Sequence, residues 1–184
     1  MRKDFGAKPL LFPQPVMIIG TYDKDGNPNA MNAAWGGIVD SDKIAVSLGS
    51  HKTTDNIMLN KAFTISPATA DEVVACDYVG IASQNNDGDK MKKAGFETEK
   101  SSFVNAPIIK NLPVTLECEF LKVIDGGLYI GQIKNVSVSE EVLGEDGAID
   151  LEKFRPIVFD TVHYGYYAFG EKVGNAFSDG KKLK

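Results

Sequence analysis

The chain is poor in the residue types that most often declare a chemistry. It has two cysteines, Cys76 and Cys118, and two histidines, His51 and His163. No Cys-x-x-Cys pair and no Cys/His cluster can be assembled from them, so a zinc site is not expected. Such sparse cysteine suits a reducing compartment. The run Asn85-Asn86-Asp87-Gly88-Asp89 has a superficial likeness to a calcium loop. With Gly88 as the sixth position, however, Ala94 stands where a bidentate glutamate belongs, and no metal is assigned. Basic excess is also missing. A formal charge of −5 excludes general nucleic-acid binding, which needs a basic face. Lys90, Lys92 and Lys93 form a local patch that reads as a solvated helix face. Nothing approaches the ~18 apolar residues of a membrane span. The short apolar run near the start is interrupted by Pro13 and Pro15, unlike a signal peptide. The expectation is a cytoplasmic protein. Neither a Gly-x-Gly-x-x-Gly turn after a strand nor a Walker lysine motif occurs, so a nucleotide cofactor would need some other cradle.

What remains is average globular composition in 184 residues, enough for one domain over 1–184 with a real core. Pro15–Tyr22 is rich in β-branched residues and runs into Asp25-Gly26-Asn27-Pro28, a strong turn signal, so strand, tight turn and strand are expected. The second strand is expected from about Asn29 to Ile38. Lys43–Leu48 and Ala62–Pro67 read as further strands. Glu72–Ser83 reads as a helix with Val73, Val74, Asp77 and Val79 on one mainly apolar side, and Asp89–Gly95 as a loop end and short helix closed by Gly95. Val114, Leu116, Cys118 and Phe120 alternate with Thr115, Glu117 and Glu119, which predicts a strand with one buried and one solvated face. Asp125-Gly126-Gly127 is a turn, and Leu128–Val138 returns as a strand. Pro156–His163 is the last one expected. The tail keeps Tyr164, Tyr166, Tyr167, Phe169 and Phe177, too apolar a set for free solvation. The whole reads as mainly β: an antiparallel β-barrel with peripheral helices.

The chemistry concentrates between Asn29 and Asn56. Small residues (Ala30, Ala33, Ala34, Gly36, Gly37) surround the single tryptophan, Trp35. That density marks close approach of another backbone or of a flat ligand. Ser50-His51-Lys52-Thr53-Thr54 then leads into a helix. Either Ser50 or Thr53 is simply its cap, or the same terminus also holds a phosphate. His163 reads as a structural histidine or as a residue near a cofactor.

In order and spacing, Asp25–Met31, Ala33-Ala34-Trp35, Val46-Ser47-Leu48 with Ser50–Thr53 and Asn56-Ile57, Tyr78–Ser83 with Asp89-Lys90 and Gly95, and Tyr166-Tyr167 with Gly170-Glu171 together resemble the flavin reductase-like, FMN-binding split-barrel family, in particular its flavoredoxin branch. The resemblance implies an antiparallel Greek-key split barrel forming a homodimer, with one FMN per subunit near the interface. It implies that Asn32, Ala33, Ala34 and Trp35 lie along the isoalloxazine, and that Ser47, Leu48, Ser50, His51, Lys52 and Thr53 meet the ribityl phosphate. Asn56, Ser83 and Tyr166 join the cofactor-binding set. Two positions depart from the family pattern: His51 stands where arginine is frequent, and Gln84 follows Ser83 where glycine is common. The implied activity is transfer of electrons from NADH or NADPH through FMN to free flavin, a metal complex or another small-molecule or protein acceptor. The alternatives are an FMN electron carrier without a nicotinamide site, and a barrel that binds a non-redox ligand or only a partner protein. No catalytic side chain is assigned, since hydride transfer to a flavin needs none.

Overall fold

The computed structural model describes residues 1–124 and 126–183; Asp125, at the head of the expected Asp-Gly-Gly turn, lies outside them. In chain order the strands and helices are β1 (Gln14–Pro15), β2 (Met17–Tyr22), β3 (Pro28–Ala33), β4 (Gly36–Asp40), β5 (Lys43–Ser47), α1 (Lys52–Asn60), β6 (Ala62–Pro67), α2 (Val73–Ile81), α3 (Lys90–Ala94), β7 (Thr98–Lys100), β8 (Pro107–Ile109), β9 (Val114–Ile124), β10 (Leu128–Val138), α4 (Leu151–Phe154), β11 (Ile157–Asp160) and β12 (Gly165–Ala168). Seven strands form one antiparallel sheet in the order β3-β2-β6-β9-β10-β5-β4, curled into a half-barrel. A second sheet, β1-β11-β12, stands beside it, and β7-β8 is a separate hairpin. Among the described residues no helix is long and apolar enough to cross a membrane.

β2 shows why the sheet folds as it does. Its Met17 and Ile19 enter one core with Val46, Phe63, Ile65 and Cys118, while Ile18 enters another with Val79, Met91, Ile109 and Ile157. A strand buried on both faces reads as an unbroken apolar run, as MIIG does. Opposite faces of the same strand thus tie the barrel interior to the helical side.

The expected strand over 29–38 is divided. β3 ends at Ala33 and β4 begins at Gly36, and these two strands are the opposite edges of the seven-stranded sheet. The chain passes between edges through Ala34 and Trp35 alone, so the edges must meet there. The small residues have separate reasons. A Cβ on Gly36 would collide with the Ala45 carbonyl of β5, which is close backbone approach, whereas Ala33 and Ala34 face a cavity.

Three other expectations are corrected. In α2 the buried residues are Cys76 and Val79, while Val74 is 80% exposed, because the helix packs on β3 through a narrower stripe. On β9, Thr115 and Glu117 are buried rather than solvated. The β7-β8 hairpin covers that face, its Ser101 donating to Glu117 Oε2, and from the paired strand β10 Asn135 Nδ2 donates to Oε1 at 2.6 Å. Finally, β11 is followed by one more strand, β12, which pairs Tyr166 with Phe159.

Candidate functional site

The meeting of the sheet edges creates a chamber of about 310 Å³. Asn32 and Ala33 come from the end of β3, Ala34 and Trp35 from the crossing, and Ser47 and Leu48 from the end of β5. Phe159 and Tyr166 close it from the small sheet, and Gly49 and His51 from the loop before α1. Trp35 is 44% exposed and forms a wall rather than part of the core. Its carbonyl accepts from the Ser47 amide at 2.7 Å, which carries the pairing with β5 one residue beyond β4 and fixes the crossing.

The polar groups of this chamber are held by their neighbours. Asn32 Nδ2 donates to the Cys76 carbonyl at 3.0 Å and lies 3.5 Å from the Tyr166 hydroxyl, which donates to Asp77 Oδ1 at 2.7 Å. Burial, and then that bond to Asp77, push the Tyr166 phenol up to about 12, so it stays protonated at neutral pH. Helix α2 reaches close enough for these contacts because residue 80 is glycine. A Cβ there would stand 3.0 Å from Asn32 Cβ.

A second chamber of about 270 Å³ shares Met31, Asn32 and His51 with the first, so the two form one groove. Lys52 and Thr53 open α1 here, and Gly80 to Gln84 leave α2. The cap of α1 is neither Ser50 nor Thr53. His51 holds the cap position, and the Thr54 hydroxyl spans the first turn, accepting from the His51 amide at 3.0 Å and donating to its carbonyl at 2.7 Å. Thr53 is thereby released for another use. Its Oγ1 accepts from Asn29 Nδ2 at 2.9 Å, and its proton remains to be donated. The positive end of a nine-residue helix adds to the attraction for an anion.

Lys90 lines the same chamber. It is 3% exposed, and among the described residues its ammonium has neither a hydrogen bond nor an ion pair; the nearby Asp87 carboxylate is engaged by Lys93 and by the Tyr78 hydroxyl. Burial pushes the Lys90 ammonium down to about 8 against the weaker pull of Asp87. A buried cation is costly unless an anion joins it. The Asn29 Oδ1 acceptor is likewise buried without a partner. The chamber thus offers cations and a hydroxyl donor to a phosphate, and a separate acceptor to an alcohol. A ribityl phosphate has both kinds of group.

Most of the expected site residues come together: Asn32, Ala33, Ala34, Trp35, Ser47, Leu48, His51 and Tyr166 around the first chamber, and Asn32, His51, Lys52, Thr53 and Ser83 around the second. Two do not. Ser50 is exposed and lines neither chamber. Asn56 points inward, 2% exposed, with Nδ2 donating to Thr21 Oγ1 at 3.1 Å. Lys90 corrects the reading of a solvated face; burial at the first turn of α3 sets it apart from exposed Lys92 and Lys93. Residue 90 follows a loop whose placement against β3 has no local signature. His163 sits on a surface turn, 2.8 Å from Asp160, and lines neither chamber. Among the described residues no cluster of ligating side chains could hold a metal.

The flavin reductase like domain family matches residues 10–168. The flavoredoxin of Desulfovibrio vulgaris (Miyazaki F) is 39% identical, and its structure superposes with a TM-score of 0.94 over 98% of this chain and 100% of that one. The flavoredoxin of Methanosarcina acetivorans is 25% identical, with a TM-score of 0.90 over 100% of both chains. A protein of Aquifex aeolicus (strain VF5) is 27% identical over 173 residues, 88% of each chain. The chain belongs to the flavin reductase-like split-barrel family, in its flavoredoxin branch.

Proposed function

We propose that the joined chambers bind FMN, with the ring in the first and the ribityl phosphate in the second, and that the protein is an NADH- or NADPH-dependent oxidoreductase. The observation that carries the flavin reading is the buried, unpaired Lys90 at one end of a groove whose other end is walled by Trp35 and Tyr166. Lys90, Lys52 and the Thr53 hydroxyl would hold the phosphate, charge-assisted bonds being the strong kind. Asn29 Oδ1 would accept from a ribityl hydroxyl. Asn32, fixed by the Cys76 carbonyl, and Tyr166, fixed by Asp77, would orient the ring. When bound, FMN supplies the redox chemistry, and the protein supplies position and electrostatics. No side chain is needed as general acid or base, and none is assigned. The acceptor would be free flavin, a metal complex or another small molecule or redox protein. Two buried cysteines, both pushed up to about 12 by burial, suit the reducing cytoplasm.

The likeness to two flavoredoxins favours a second reading, an FMN electron carrier reduced by protein partners without a nicotinamide site of its own. Anaerobic mixing of the flavin-loaded protein with NADH and with NADPH separates the two. Bleaching of the flavin absorbance by either nucleotide supports the reductase; none by either leaves the carrier. A preparation that is colourless and takes up no FMN would defeat both. We further propose a homodimer that covers the open side of the first chamber, since Trp35 and the strand β4 beside it expose Ile38 and Val39.

A further inference from the structure

We infer that the second chamber, in protein freed of flavin, is a self-acylation site: an acyl phosphate seats its phosphoryl group on Lys52, Thr53 and the start of α1, and Lys90 takes its acyl group. The inference rests on the phosphate assignment made above and adds a covalent modification to the same residues. Lys90 is 3% exposed yet lines the chamber, and its ammonium has no hydrogen bond or ion pair among the described residues. An amine so placed has two ways out of its burial cost. An anion can join it, or it can lose its charge by becoming an amide. The titratable side chains lining the chamber are His51, Lys52 and Lys90, and no carboxylate stands among them, so an anionic reagent is attracted. Asp87, whose charge Lys90 feels, is engaged by Lys93 and by the Tyr78 hydroxyl.

The step balances with the acyl phosphate alone. The Lys90 nitrogen bonds to the acyl carbon, the bond from that carbon to the phosphate oxygen breaks, and inorganic phosphate leaves from the cradle. The proton shed by the amine passes to water. The nucleophile is the uncharged amine. With Lys90 held near 8 by burial, its uncharged fraction at pH 8 is roughly a hundred times that of a lysine at the ordinary 10.5. Lower basicity returns part of that gain. Two acceptors in the lining, Asn29 Oδ1 and Gln84 Oε1, are buried without partners, and the N–H of the new amide is a donor of the kind they lack. Acylation removes a cation that the FMN phosphate would use and occupies part of the chamber. Flavin and acyl group therefore exclude each other.

Full-length protein freed of flavin is incubated at pH 8 with acetyl phosphate, and the acetylation rate of each lysine is read by peptide mass spectrometry. Lys90 is expected to react at least about tenfold faster than exposed Lys92 and Lys93 on the same helix, and Lys52→Ala to remove most of that lead. Inorganic phosphate and FMN should each protect Lys90, and the acetylated protein should bind FMN at least about tenfold more weakly. Lys90 reacting no faster than Lys92 and Lys93, keeping its lead in Lys52→Ala, or ignoring excess inorganic phosphate would overturn the inference. Tight FMN binding by such protein would leave the flavin reading standing. Selective reaction that inorganic phosphate blocks and FMN does not would keep the acylation site and remove FMN from this chamber.

Discussion

Lys90 has the most to gain from a ligand. Its ammonium, held near 8 by burial, is charged below that pH at a desolvation cost that a phosphate would offset. The sign follows from linkage. Below pH 8 the lysine is already protonated and meets the phosphate as a cation. Above it, binding must take up a proton, so FMN affinity falls as pH rises through 8. The phosphate itself is a dianion throughout this range, with its second pKa near ~6. Riboflavin affinity should stay flat, and Lys90→Met should flatten the FMN profile too, while weakening FMN at pH 7 by about 10- to 150-fold, the worth of a charge-assisted bond. Calorimetric titrations at several pH values check this; an equal loss for riboflavin would remove Lys90 from the phosphate. The same depressed pKa makes the opposite demand on the ligand-free chain. The cost of the buried charge is present in full below 8 and fades toward the ordinary 10.5, so flavin-free stability from this group rises across that interval. Lys52→Ala with Thr53→Ala should show the same preference for FMN over riboflavin. Ser50 and Asn56 entered the expected set through the family resemblance, which gives a position along the chain and not the direction its side chain faces; Asn56 faces a buried threonine.

Helix α2 and strand β3 show how elements impose themselves on the site. Replacing an exposed helix-interior glycine by alanine ordinarily stabilises by about 1 kcal/mol. At Gly80 the new methyl carbon would press on Asn32 Cβ at 3.0 Å, so Gly80→Ala should gain no stability and should loosen FMN through displacement of Asn32. Thermal melts and flavin titrations read the two effects; a stabilised variant with unchanged affinity would contradict the packing argument. On β9, Glu117 is 1% exposed and accepts from Ser101, whose own Oγ accepts from the Phe103 and Val104 amides at 3.0 and 2.9 Å. Glu117→Ala should cost about 3 kcal/mol by orphaning Ser101 and Asn135, and Glu117→Gln less, measured by urea unfolding. The same elements show what the sequence could and could not say. β9, β10 and the first hairpin were legible because alternation and Asp-Gly turns are local. The burial of Glu117 was not, because a strand's outward face looks solvated until a segment arrives from elsewhere to cover it. The break in the strand over 29–38 was hidden for a similar reason. Small residues announce close approach without saying whether backbone, as at Gly36, or open space, as at Ala33 and Ala34, is the neighbour.

At the scale of the molecule the site is a consequence of closure. Two edges of a curled sheet are joined through Ala34 and Trp35, and the seam left between them is the first chamber. An edge strand with exposed apolar residues is an invitation to pairing, and β4 carries Ile38 and Val39 in that state. The chain then ends in a segment whose apolar side chains have no cover of their own: Phe169, Val173, Phe177 and Leu183 are all exposed, Phe177 completely. Scattered exposed hydrophobics need no explanation, but a whole segment of them does. The homodimer proposed above would supply that cover, since a two-fold interface offers the same patch from both sides. β12 ends at Ala168, so removing everything after it leaves the small sheet and Tyr166 in register. The truncated chain should therefore keep the melting behaviour of a folded barrel while shifting from dimer to monomer in sedimentation at micromolar concentration. Because the proposed dimer would cover the open side of the chamber, its loss should also make the flavin dissociate faster. A truncated protein that remains dimeric and yellow would place the interface on the β4 edge alone and leave the aromatic tail without a part in assembly.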